Sequence, residues 1–84
     1  MENTQTREEI LANALAAREQ EVMNYQINID NYAIALDEIS KLSVDERAEL
    51  SSFADQLRTR LASEKTEQKK ATLMLTVLKR QINA

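Results

Sequence analysis

Ser40-Lys41-Leu42-Ser43-Val44-Asp45-Glu46 is the stretch in which this chain has to turn, and it contains neither glycine nor proline; nor does any other part of the 84 residues. At ordinary usage of about 7% Gly and about 5% Pro, roughly ten of the two would occur in this length. Without them a chain has few means of making hairpins, phosphate-cradling loops or sharp bends. What Ser43 does offer is a capping box: its hydroxyl is placed to accept the amide of Glu46, and Asp45 and Glu46 sit in a first helical turn where the helix dipole favours acids. The segment therefore reads as the end of one helix, a turn over 40–43, and the start of another.

Upstream, Thr6-Arg7-Glu8-Glu9 is a second capping box, which starts a helix near residue 7. Apolar residues then recur in steps of three and four: Leu11, Leu15, Val22, Tyr25, Ile29, Tyr32, Leu36 and Ile39, with Arg18 the one exception. Downstream, Leu50, Ala54, Leu57, Leu61, Glu64, Gln68, Ala71, Leu75, Leu78 and Ile82 keep the same spacing. Both are heptad seams. The fold expected is all-α: one domain over 1–84, with 1–5 frayed, helix 7–41, a turn at 40–43 and helix 44–83, closed as a long antiparallel two-helix hairpin. Pairing residues that sum to 86 sets Ile29 on Leu57, Tyr25 on Leu61 and Leu36 on Leu50. It also sets Ala14 against Met74, Ala35 against Phe53, Glu19 beside Lys65, and Arg18 opposite Gln68 near Glu64 as one polar zone that penalises other registers. Glu21 and Glu67 come out as like-charged neighbours unless Arg60 or Lys70 intervenes.

Two stretches qualify this reading. Tyr25-Gln26-Ile27-Asn28-Ile29 alternates with period two and taken alone suits a strand, but no partner strand exists for it. Ser63 to Lys70 is eight polar residues in succession, and a break near 63–66 would give a three-helix bundle instead.

A chain of this size buries only about 60% of its unfolded surface, and with no cysteine or histidine it has neither disulfide nor zinc to stabilise it. Self-association into a four-helix bundle is the remaining way to add core. Met23, Ile27 and Ile34 fall outside the first seam, and Leu73 and Val77 outside the second. They are the candidate dimer or partner interface.

Two charged features stand beside them. Residues 1–42 carry eight acids and three bases, and residues 43–84 carry six acids and eight bases, so the two halves are complementary and pairing inside the hairpin is expected. An acidic tip gathers Asp37, Glu38, Asp45, Glu46, Glu49 and Asp55; it reads as a solvated turn, with a mimic that blocks a basic groove on a target enzyme as the sharper alternative. A basic stripe runs through Arg58, Lys65, Lys69 and Lys70. It is expected to pair with Glu8, Glu9, Glu19 and Glu21, the alternative being a nucleic-acid-binding hairpin dimer, against which stand the net charge of −3 and the lack of interleaved aromatics.

Chemistry is poorly represented. No histidine or cysteine leaves out the commonest general base, the thiolate and the usual zinc ligands, and no glycine leaves out the familiar phosphate loops. The expectation is a non-enzymatic protein-binding chain acting as adaptor, assembly factor or small inhibitor. It uses no cofactor or metal and no membrane, it sits in the cytoplasm, and nucleic acid is the less favoured partner.

Overall fold

In a computed structural model, which describes residues 5–83, the chain is an all-α antiparallel hairpin. Helix α1 spans Arg7–Ser40, a short α2 spans Val44–Glu49, and α3 spans Ser51–Ile82 and packs along α1. Residues 1–4, most of the stretch expected to fray, lie outside the described residues.

Both predicted caps are present. Thr6 is extended (φ −73°, ψ 162°) and its Oγ1 accepts the Glu9 amide at 3.2 Å; Ser43 (φ −63°, ψ 162°) accepts the Glu46 amide at 3.2 Å. The turn between them is made by tightening the end of α1, the amides of Lys41 and Leu42 donating to the carbonyls of Glu38 and Ile39 three residues back. Among the described residues no backbone φ is positive, so the turn never enters the region where glycine is favoured. Lys41 also answers a problem at that end. Asp37 and Glu38 lie in the last turn, where the helix dipole disfavours acids, and the Lys41 ammonium pairs with both, at 3.1 and 3.4 Å.

Tyr25–Ile29 is helical, and α3 runs without a break through Ser63–Lys70, which removes the three-helix alternative with its break near 63–66. The second arm is nevertheless not one helix over 44–83. It is interrupted at Leu50 (φ −98°, ψ 9°), which ends α2 and begins α3 with no side-chain cap. Hydrogen bonds still span the point, Leu50 donating to Glu46 and Ala54 donating to Leu50, so this is a bend. The serine pair Ser51-Ser52 that follows is a known cause of such bends.

That bend moves the register. Three side-chain bonds tie the helices together: Gln68 Nε2 donates to the Val22 carbonyl at 3.4 Å and to Gln26 Oε1 at 2.8 Å, and Asn28 Nδ2 donates to Glu64 Oε2 at 3.4 Å. These pairs sum to 90, 94 and 92, not 86. The residues between Ser40 and Ser51 belong to the turn, so the hairpin folds about a point near residue 46 and each residue's partner across the seam moves by about six residues, between one and two helical turns. The polar zone forms from Gln26, Asn28, Glu64 and Gln68. Arg18 turns back on its own helix to Glu21 at 3.2 Å, and Lys70 holds Glu67 at 3.0 Å, so the two like charges are each answered locally.

The buried core is small: Ile29, Ala54, Leu57 and Ala71. Leu11, Leu15, Val22, Tyr25, Tyr32, Leu36, Leu61 and Leu75 are half-buried. Met74 and Phe53, expected to pack against Ala14 and Ala35, are 46% and 48% exposed. The molecule measures 65 × 29 × 16 Å with a radius of gyration of 19.2 Å, against about 12 Å for a compact chain of this length.

Candidate interaction surfaces

A helix turns about 100° per residue, which places each exposed side chain around its helix. Taking buried Ile29 as the direction of α3, Met23, Ile34 and Ile27 fall about 120°, 140° and 160° away on α1. They form one outward stripe and are 55%, 60% and 50% exposed. Taking Leu57 as the direction of α1, Leu73 and Val77 fall about 160° to either side on α3, and both are exposed. The two groups of the expected interface therefore lie on opposite outer flanks of the hairpin and do not form one surface.

Sequence periodicity missed further exposed apolar residues, notably Ile10, Phe53 and Met74. The 86-sum register had placed Phe53 and Met74 against alanines. Their seven-residue relation through 60 and 67 was available in the sequence as a signal that they share a stripe.

The acidic tip divides. Asp37 and Glu38 are held by Lys41, and Asp55 takes Arg58 at 2.8 Å. Asp45, Glu46 and Glu49 lie on α2, the first two in its opening turn. Hydrogen bonding and charge from Asp37, with a further hydrogen bond from Glu38, raise the Lys41 pKa above its ordinary 10.5. Beside the tip lies an open cleft of about 240 Å³ lined by Leu36, Ala54, Arg47 and Arg58 among others.

The basic stripe is not neutralised as expected. Among the described residues every ion pair lies within one helix or at its cap, and none joins Lys65, Lys69 or Lys70 to Glu8, Glu9, Glu19 or Glu21. The register explains this: with the layers moved, Glu19 faces the level of Leu75 and lies away from Lys65, and Glu19 and Leu75 line one open groove of about 390 Å³ with Val22, Met23, Gln26 and Gln68.

No group of three acidic side chains converges to hold a metal among the described residues, and no helix is long and apolar enough to cross a membrane. Compared with protein-family models, with curated proteins and with solved structures, the chain matches none.

Proposed function

We propose that this chain is a non-enzymatic protein-association module, acting as an adaptor, assembly factor or small inhibitor through its helix faces. One observation carries the reading. Among the described residues four are buried while ten large apolar side chains are exposed, so the hairpin leaves much of its own apolar surface without a covering. The accessible surface is 6537 Å², where a compact monomer of this mass has about 5,100 Å². The surplus of about 1,400 Å² exceeds the roughly 800 Å² that each partner buries in a standard protein interface.

The outward stripe of Met23, Ile27 and Ile34 is the partner site we favour, its three side chains aligned on one flank over about three turns of α1. The test is capture from lysate of the source cells with the wild-type chain, Ile27→Asp/Ile34→Asp, Leu73→Asp/Val77→Asp, and Asp45→Asn/Glu46→Gln/Glu49→Gln. A partner lost with the first variant alone supports the stripe. Loss with the third alone supports the groove-blocking tip, and binding indifferent to all three rejects an interaction through these faces.

The lack of cross-helix pairing at Lys65 and Lys69 favours a second reading, nucleic-acid binding along α3. Retention of labelled RNA or DNA at physiological salt, weakening steeply as salt rises, would favour it over the first.

A further inference from the structure

The hairpin has two broad sides between its outer flanks, and they differ in chemistry. The side marked by the Gln26 to Gln68 bond carries Glu19 and Asp30 on α1 and Lys65 and Lys69 on α3. The side marked by the Asn28 to Glu64 bond carries Phe53, Arg60, Glu67 and Met74 on α3. These four are spaced by seven and so run as one stripe with about 20° of drift per step. Tyr25 and Tyr32 flank it on α1, level with Glu67 and Arg60, and Ile10 and Ala14 continue the same side beyond Met74. The apolar seam is thus displaced toward this second side, as in a helix pair that has a further layer to cover.

Along α3 the stripe reads apolar, basic, acidic, apolar. Read in reverse it complements itself: Phe53 meets Met74 and Arg60 meets Glu67. We propose that this side binds a second copy of the chain, with the two α3 helices packed antiparallel about a twofold axis that passes between Ser63 and Glu64. Such a contact is isologous, each pair occurring twice. It rests on the reading of the chain as an association module and names the partner for one of its faces.

Three further points bear on it. First, Glu64 is bonded to Asn28, so an axis placed at Glu64 crosses α1 at Asn28. There it sets Asn28 beside its own copy and brings the half-buried Tyr25 within one residue of the second copy's Tyr32. Second, Arg60 has no ion-pair partner among the described residues, and Glu67 gives only Oε1 to Lys70. Third, the surplus surface is enough for one such interface on each protomer. The arrangement leaves Ile27 and Ile34 of each copy on the outside, so self-association and partner binding use different faces.

Because the stripe is self-complementary, a double charge reversal restores what each single reversal breaks. Arg60→Glu and Glu67→Arg each weaken the dimer at least tenfold by sedimentation equilibrium, with helicity by circular dichroism unchanged. Arg60→Glu/Glu67→Arg returns the affinity to within about threefold of wild type. The chain has no cysteine, so Ser63→Cys forms a disulfide-linked dimer on mild oxidation, and Lys65→Cys, on the other broad side, does not. A dimer indifferent to the reversals, or cross-linking through Lys65→Cys in place of Ser63→Cys, overturns this face. A monomer at all concentrations up to about 200 μM overturns self-association while leaving partner capture through Ile27 and Ile34 to stand or fall separately.

Discussion

Leu57 and Leu73 sit on the same helix, about 160° apart around its axis and opposite in environment: Leu57 is 5% exposed and Leu73 63%. Replacing each by alanine applies the same chemical change to both. Removal of the Leu57 side chain takes about three carbons out of the seam, at about 0.8 kcal/mol for each fully buried group, or about 2.3 kcal/mol. A cavity term adds to this, but the seam is a single layer that water and neighbouring side chains can close upon, so the total belongs near the low end of the 2–5 kcal/mol range. At Leu73 the same arithmetic on the buried third leaves about 0.9 kcal/mol, part of which alanine's better helix propensity offsets. The assay is urea unfolding followed by ellipticity at one fixed protein concentration, since association shifts apparent stability. With a slope of about 1 kcal/mol/M, Leu57→Ala lowers the midpoint by about 2 M and Leu73→Ala by about 0.7 M. Equal shifts, or a larger shift for Leu73, would refute the assignment of the inner and outer faces of α3.

Ser43→Ala removes the one side-chain cap of α2 and lowers stability by about 1 kcal/mol in the same assay; Ser43→Asp retains it. The raised pKa of Lys41 means that the folded state holds this proton more tightly than the unfolded one. Its contribution is therefore fully present below about pH 10.5 and is lost as pH rises through the raised folded value. The difference in stability between wild type and Lys41→Met should accordingly be constant from about pH 7 to 9 and vanish at strongly alkaline pH. A gap that widens with rising pH would reverse the sign and contradict the pairing with Asp37. Gln68→Leu replaces the polar bridge to Val22 and Gln26 with an apolar group in a half-buried position, so the urea midpoint rises while distances between spin labels on α1 and α3 broaden, because the bond that disfavours other registers is gone.

The caps were legible because each depends on residues three apart in sequence: Thr6 with Glu9, and Ser43 with Glu46. The helical faces were legible for the same reason, periodicity being local. Register was not, because it depends on where the chain folds over. Here that point was moved by a bend at Leu50, whose only sequence sign is the Ser51-Ser52 pair. That displacement of about six residues then carried through to the charges: it put Glu19 beside Lys65 and hid the absence of cross-helix pairing. It also set Met74 and Phe53 against alanines, and so concealed a stripe whose spacing was plain in the sequence. The outward residues Ile27, Ile34, Leu73 and Val77 were recognised from angle alone, which register does not alter, but their separation onto opposite flanks required both helices to be seen together.

Small-angle X-ray scattering with in-line light scattering tests the central claim, that the hairpin is covered along its side by a second copy of the chain. The proposal predicts twice the 9.6 kDa chain mass with a radius of gyration close to the 19.2 Å of one hairpin. Two layers about 10 Å apart raise it only to about 20 Å. A mass of 9.6 kDa at every concentration would contradict the claim, as would a doubled mass with a radius near 35 Å, the value for hairpins joined end to end at a separation of about 60 Å.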